Sequence, residues 1–455
     1  MSENGNLTSG HARIVADLQA RWPENRVAPS LGRIRALCDL LGSPQDAYPV
    51  IQVAGTNGKG STALIIESLL RALGLRTGRF ASPHLEDLTE RIAIDGEPMT
   101  HEAFDELVAD IAPLIAMVDE QAIDGVPMTF FEVMTGLAYA AFAQAPVDVA
   151  VMEVGLGGTW DATSVADPDV AVICPVDFDH MHILGDTIEE IAGEKAGIIK
   201  EGSVAVIAEQ RPEAAAVLAQ RCADVGARLT AAGADFGLLD RELAVGGQVI
   251  RVNTAAGPLG DLFLPLFGEH MAHNAALAVA AVEAFLGGRT PAPEVIAQGL
   301  EQVVAPARLE VLRRSPTIVL DTCHNPHGAR ATMAGIAEAF GFATLIGVVA
   351  MMEDKDVEGV LRVFADEMTS VVVTSVASPR ALSPAELGER AAEIFGADRV
   401  EMRATMADAI ERAVALADDA GPGAGILIAG SVVAAGEARA LLVHHGGPQS
   451  APGRS

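Results

Sequence analysis

The segment from residue 50 to residue 74 constrains this chain most: an apolar run VIQVA, the loop GTNGKGS, then TALIIESLLRALG. The run at 50–54 predicts a buried strand, and Thr62 onward carries apolar residues at helical spacing. A strand, a glycine-rich loop and a helix aim backbone N–H groups and a helix N-terminus at phosphate oxygens. In that frame Lys59 reaches the β- and γ-phosphates, and Ser61 or Thr62 the phosphate or a metal ion. The spacing is shorter than GxxxxGK[ST] and puts Gly60 between the lysine and the serine, so the loop is a variant. The alternative is a glycine turn with an incidental lysine. Against it, Lys59 is one of only four lysines in the chain, with Lys195, Lys200 and Lys355.

Further apolar runs at 148–154, 170–174 and 204–208 alternate with helical stretches between about 48 and 210. Continuous runs of this length fit parallel strands buried on both faces. From about 226 to 267 the texture becomes glycine-rich and alternating, as in LLDRELAVGGQVIRVN, which predicts antiparallel hairpins. Helices are expected at about 270–287 and 292–304. After Pro306 the alternation restarts with TIVLD, ATLIGVV, VVVTS and GILIAG. The fold class is therefore α/β. Residues 1–304 form a P-loop mononucleotide-binding domain with a mostly parallel sheet and a small antiparallel β subregion; residues 305–445 form a C-terminal Rossmann-like α/β domain. Residues 446–455 read as a disordered tail.

Composition narrows the partners. With 455 residues, half of them apolar and a fifth charged, extended disorder is excluded as a description of the whole. A net charge of −30 argues against nucleic acid, because phosphates demand basic surface. Any anionic ligand must be held by local devices such as backbone N–H groups, metal ions or a few placed cations. The longest apolar run, Phe342 to Met352, is about half of what spans a bilayer, and the N-terminus has no apolar signal core. The expectation is a cytoplasmic protein without membrane attachment. Cys38, Cys174, Cys222 and Cys323 lack CxxC spacing and read as free thiols.

Glu153 ends an apolar strand and is followed by Gly155, Gly157 and Gly158; a carboxylate there, beside a phosphate loop, can hold Mg²⁺. Ile188, Ile191, Lys195 and Ile198 share one face of a helix over 187–199, which sets Lys195 on an apolar stripe. A buried amine is biased towards its neutral form, which reacts with CO₂, and the carbamate changes the group's charge from +1 to −1. Lys200 reads as solvated, Lys355 sits in a charged loop, and His182 is a loop residue. There is no Ser-His-Asp or Cys-His signature for a covalent nucleophile.

The words VAGTNGKGS, ASPHL (81–85), TFFE (129–132), EVGLGGTWDATS (153–164), DH (179–180), LGDTIEEIAGEKAGIIKEG (184–202), GEHMAHNAALA (268–278), ARLE (307–310) and DTCHNP (321–326) occur in this order. Together they resemble the folylpolyglutamate synthase and dihydrofolate synthase family, a branch of the Mur ligase superfamily, from about residue 12 to 445. The resemblance implies an ATP-dependent amide ligase that adds L-glutamate to dihydropteroate, to a reduced folate or to both, through an acyl phosphate. It implies ATP on Thr56, Asn57, Gly58, Lys59, Gly60, Ser61 and Thr62, with Asn274 near the adenine, Arg308 on the polyphosphate and Asp321 at the end of TIVLD. Asp321 read without the resemblance is a helix cap or turn residue. Ser82, Glu153 and His180 are implied as metal ligands, with two Mg²⁺ sites and a carboxylated Lys195; Lys59, Lys195 and His180 are the implied catalytic residues.

Pterin binding is implied for Thr129, Phe130, Phe131, Glu132, Trp160, Asp161 and Ala162, although the two phenylalanines read equally as core at a helix start. The chain departs from the family at Thr159 and Ser164, where GGRxDATN has Arg and Asn, and at Met271, where Gln is common. These departures bear on acceptor preference. A monomer is expected. The rivals are a Mur-type ligase for another carboxylate acceptor and a noncatalytic ATP-binding protein. Only about 50 residues precede Gly55, too few for the nucleotide-sugar domain of a cell-wall ligase.

Overall fold

β1 (Val50–Ala54) is the fifth strand of an eight-stranded sheet and is buried along its whole length. The others are β2 (Thr77–Phe80), β3 (Ile92–Ile94), β4 (Glu97–Pro98), β5 (Val149–Glu153), β6 (Val170–Ile173), β7 (Val204–Ile207) and β8 (Arg228–Ala231), in the order β4-β3-β2-β5-β1-β6-β7-β8. Neighbouring strands along the order from β2 to β8 pair in parallel, and β3 is antiparallel to both β2 and β4 at one end of the sheet. This computed structural model describes residues 3–23 and 28–444; the tail expected at 446–455 lies outside them.

The runs read as strands are strands, because Val, Ile and Ala are buried on both faces of a covered parallel sheet. The order places β5 and β6 on either side of β1, so the chain leaves β1 towards one edge and later returns to build the other. The carboxyl ends of β1, β5 and β6 therefore line up at a switch point, where α/β sheets bind ligands. The helices used below are α1 (Glu3–Gln19), α2 (Gly32–Leu40), α3 (Lys59–Ala72), α4 (His101–Glu120), α5 (Phe130–Gln144), α6 (Met181–Leu184) and α7 (Ile188–Lys195). α3 starts at Lys59, three residues before the expected Thr62. The expected hairpins appear as β9 (Gly237–Ala244), β10 (Gly247–Thr254) and β11 (Gly257–Leu264), in a separate sheet.

The chain divides into two compact units. The first holds residues up to 242 with 249–265 and 271–303, and the second 243–248, 266–270 and residues from 304 onward. The second unit contains β12 (Glu310–Arg314), β13 (Thr317–Leu320), β14 (Thr344–Val349), β15 (Ser370–Val373), β16 (Val400–Met402) and β17 (Ala424–Ala429), ordered β12-β13-β17-β14-β15-β16. β12 is antiparallel to β13 and the rest are parallel. Among the described residues no helix is long and apolar enough to cross a membrane.

Candidate active site

The phosphate loop is shaped by its glycines. Gly58 caps α3 with φ +87°, which L side chains rarely adopt, and a Cβ there would lie 2.8 Å from Asn274 Oδ1. A Cβ on Gly55 would lie 2.5 Å from that of Cys174, at the end of the neighbouring β6. The loop is also tied to the chain beyond β6. Thr56 N–H donates to the Pro175 carbonyl (2.9 Å), while its hydroxyl donates to Asp177 O (2.9 Å) and accepts from Asp177 N–H (3.0 Å). Ser61 and Thr62 lie buried in the first turn of α3.

Two lysines converge on this loop. Lys59 Nζ donates to the carbonyls of Gly55 (3.1 Å) and Thr56 (3.2 Å), and Lys195 Nζ, from the end of α7, donates to Gly55 O at 2.9 Å. Lys195 is 4% exposed. Burial, and then the neighbouring Lys59 charge, push its amine down from 10.5 to about 7. The glycines after β5 allow α7 this close: a Cβ on Gly158 would lie 2.8 Å from Glu194 O and 2.9 Å from Lys195 O.

Glu153 closes β5 opposite Val53 of β1 and is buried. Its Oε2 accepts the Ser82 N–H at 3.3 Å, so two of the three expected metal ligands adjoin. A buried carboxylate with a hydroxyl residue beside it, one strand from a phosphate loop, suits a hard cation. His180 takes a left-handed backbone (φ 51°) at the start of α6, its Nε2 3.8 Å from Asp179 Oδ1.

The expected pterin residues separate into two groups. Phe131 and Trp160 lie along the glycine loop after β5: a Cβ on Gly155 would lie 2.6 Å from the Phe131 ring, and one on Gly157 3.4 Å from Trp160. Thr129 and Glu132 instead form the capping box of α5. Glu132 is also gripped by the buried Arg33 of α2, whose Nε lies 3.1 and 3.0 Å from its two carboxylate oxygens. Phe130 is core, with the Arg91 guanidinium 5.0 Å from its ring centroid. Asp161 is engaged internally, by Leu156 N–H (3.0 Å) and by Thr163 N–H (3.0 Å) and hydroxyl (2.5 Å); burial raises its pKa against these bonds.

Arg33 was not singled out from the sequence; its place four residues before the apolar Leu37 on α2 was the signal. Lys200 corrects an expectation. Rather than being solvated, its Nζ donates to Ser164 O (2.7 Å), Ala166 O (2.7 Å) and Asp167 Oδ1 (2.9 Å), bracing the turn after Asp161. His182 lies in the one-turn helix α6, not in a loop.

In the second unit, Asp321 follows β13, and Arg308 donates through a terminal nitrogen to the Thr322 hydroxyl. Asp321 is not the cap of the next helix; Asn325 is. The Asp321 carboxylate accepts Leu309 N–H (3.1 Å), Cys323 N–H (2.8 Å) and the Thr332 hydroxyl (2.9 Å).

Residues 53–282 match the Mur ligase middle domain, and residues 307–432 match the glutamate ligase domain of Mur ligases. The dihydrofolate synthase/folylpolyglutamate synthase of Mycobacterium tuberculosis is 47% identical over 449 residues, covering 93% of this chain and 92% of the relative. The chain belongs to the folylpolyglutamate synthase and dihydrofolate synthase family of Mur ligases. A solved structure of M. tuberculosis folylpolyglutamate synthase complexed with ADP superposes with a TM-score of 0.93 at 46% identity, covering 96% of this chain and 99% of that one. Escherichia coli FolC in complex with DHPP and ADP gives a TM-score of 0.83 at 29% identity, covering 96% and 98%.

This family member's departures have local structural partners. Thr159 donates through N–H (3.0 Å) and hydroxyl (3.2 Å) to Glu194 O, beside Lys195, and a Cβ on Gly197 would collide with it. Ser164 donates to Gly158 O at 2.5 Å and accepts from Gln52 at 3.0 Å. Met271 presents its sulfur 3.9 Å from Asn274 Nδ2, next to Gly58.

Proposed function

We propose that this ligase of the Mur family joins L-glutamate to the carboxylate of dihydropteroate, of a reduced folate or of both, with conversion of ATP to ADP and phosphate. The observation that carries the reading is the meeting of Lys59 and Lys195 at Gly55, inside a glycine loop that opens α3. Loop N–H groups and Lys59 hold the ATP phosphates, with the buried Asn274 packed beside Gly58. The acceptor carboxylate attacks the γ-phosphorus, the bond to ADP breaks, and an acyl phosphate forms. The glutamate amine then attacks the acyl carbon, loses a proton, and phosphate departs. Lys59 and the α3 N-terminus stabilise the charge that spreads over the transferring phosphoryl group.

Ser82, Glu153 and His180 would hold Mg²⁺, in two sites with a carboxylated Lys195. The ion supplies Lewis-acid stabilisation of phosphoryl oxygens. Lys195 suits the carbamate because it is buried, poised near neutrality and next to a cation that compensates the new negative charge. Phe131, reaching from α5 to Gly155, and Trp160, at the end of the glycine loop, offer aromatic faces to the flat pterin. Arg308 and Asp321, in a second domain taken as residues 305–445 after an ATP-binding domain of 1–304, are further proposed nucleotide-binding residues. The ligase acts in the cytoplasm as a monomer, where its buried cysteines stay thiols.

Purified protein with ATP, Mg²⁺ and labelled glutamate, offered dihydropteroate and tetrahydrofolate separately, tests the proposal. Glutamylated product with stoichiometric ADP supports it. ADP release that ignores both acceptors, or none at all, overturns it. Acceptor-dependent positional isotope exchange in ATP tests the acyl phosphate.

A further inference from the structure

Away from the phosphate loop, the middle of α1, the start of α4 and the cap of a short turn bring an imidazole-rich cluster together. His11 of α1 is 8% exposed, and its Nδ1 lies 2.6 Å from Asp105 Oδ1 on α4. His101, in the first turn of α4 and four residues before Asp105, places Nε2 2.8 Å from Asp87 Oδ2. Asp87 caps the short turn Leu88–Arg91; its Oδ1 accepts from Thr89 N–H and hydroxyl, which fixes the carboxylate and leaves Oδ2 towards His101. Potential ligand atoms of His11, Asp87 and His101 all lie within 4.8 Å of one another. Among the described residues no other group of three His, Cys, Asp or Glu side chains does this.

We propose that His11, Asp87 and His101 form a binding site for a divalent transition ion of the zinc class, separate from the nucleotide site. Two imidazole nitrogens and one carboxylate oxygen suit Zn²⁺, Co²⁺ or Ni²⁺ and disfavour Mg²⁺, which prefers oxygen alone. Asp105 supplies the outer partner that metal-bound histidines usually have: it holds the Nδ1 side of His11, fixes the ring and leaves Nε2 for the ion. His11 is thus the buried, oriented half. His101 and Asp87 are the accessible half, with side chains 47% and 41% exposed, through which an ion and its remaining water enter.

The two imidazoles are stacked, with centroids 3.8 Å apart and planes 13° from parallel. An ion lying in both ring planes requires the exposed His101 ring to turn out of the stack while His11 stays on Asp105. The ion replaces the proton shared between His101 and Asp87 and joins α1 to α4 and to the 87–91 turn, whose capping Asp87 follows Ser82 closely in the chain.

The test uses tag-free, metal-stripped full-length protein titrated with Co²⁺ by absorption and with Zn²⁺ by calorimetry. One equivalent is expected to bind with tetrahedral or five-coordinate Co²⁺ bands and to raise the thermal midpoint. His101→Ala, at an exposed position, and His11→Gln are each expected to weaken that affinity about tenfold or more; Asp105→Asn is expected to weaken it by about tenfold, as lost outer partners do. His180→Ala, at the nucleotide site, is expected to leave it unchanged. No Co²⁺ bands, binding that survives His101→Ala combined with His11→Gln, or binding lost in His180→Ala overturns the proposal. A cluster that only shares protons gives the first of these results.

Discussion

Lys59 and Lys195 share one acceptor: their Nζ atoms lie 3.1 and 2.9 Å from the Gly55 carbonyl oxygen. Lys59 sits at the half-open loop and Lys195 is enclosed, so the cost of crowding two cations falls on Lys195. That asymmetry biases Lys195, the enclosed lysine, towards its neutral amine.

A stability experiment reads this directly. Burial and Lys59 depress Lys195 to about 7, whereas an unfolded lysine stays near 10.5, so between these values the unfolded chain binds more protons. The contribution of Lys195 to stability therefore rises with pH through that window, and its penalty is fully present below about 7. In CO₂-free buffer Lys195→Met is expected to be more stable than the parent on the acid side of 7, with the gain shrinking towards 10.5. Denaturant midpoints across pH check it; a gain independent of pH contradicts the depressed amine. The variant is expected to lose ligase activity.

Arg33 and Glu132 form a buried pair, 1% and 6% exposed at the side chain, between α2 and α5. Arg33→Ala leaves the Glu132 charge enclosed and is expected to cost about 3–5 kcal/mol. Adding Glu132→Gln to that variant keeps the cap of α5, since Gln also serves in a capping box, and removes the orphan charge. Stability by chemical denaturation should fall in the first variant and recover in part in the second. Full additivity of the two losses would show that the pair is not coupled.

What was readable in the chain, and what was not, follows from the range over which each cause acts. β1, the glycine loop and α3 are one continuous segment whose pattern and turn chemistry agree, so strand, loop and helix could be read locally. Lys195 stood out because three isoleucines share its helix face. The Glu132 assignment was harder, since its partner Arg33 lies 99 residues away and nothing local announces the pairing. Lys200 looked solvated because two of its acceptors are backbone carbonyls, which every residue has and no sequence displays. The strands β2, β3 and β4, which build one end of the sheet, are only 4, 3 and 2 residues long and take their structure from β5 and from one another. His11 and Asp105 are 94 residues apart and meet only through the packing of α1 against α4.

Lys200 is 22% exposed at the side chain and satisfies two carbonyls of the turn that follows Trp160 and Asp161. Lys200→Met is expected to destabilise the chain by about 1–3 kcal/mol, the range for hydrogen bonds to a charged group and the carbonyls they leave unpaired. The loosened turn directly follows the proposed acceptor residues Trp160 and Asp161, so KM for the pterin substrate should rise more than KM for ATP. Equal changes in both would separate Lys200 from acceptor binding.

Arg308 is flanked by two residues in the left-handed region, Ala307 (φ 54°) and Leu309 (φ 48°). Each conformation costs a non-glycine residue about 1–2 kcal/mol, and each is held by a carboxylate: Ala307 N–H donates to Glu310 Oε2 at 2.8 Å and Leu309 N–H to Asp321 Oδ2 at 3.1 Å. Glu310 is itself fixed by Arg439, 3.1 and 3.2 Å from its two oxygens. The strain thus fixes the direction of the Arg308 backbone, and Asp321 serves that end whatever else it contacts. Ala307→Gly removes the steric cost while freeing the backbone, so stability is expected to hold or rise by up to about 1 kcal/mol, where an ordinary Ala→Gly change would lower it. If Arg308 needs this rigid mount to meet ATP, the same variant shows a higher KM for ATP at undiminished stability. An unchanged KM would leave the strained backbone a matter of folding alone.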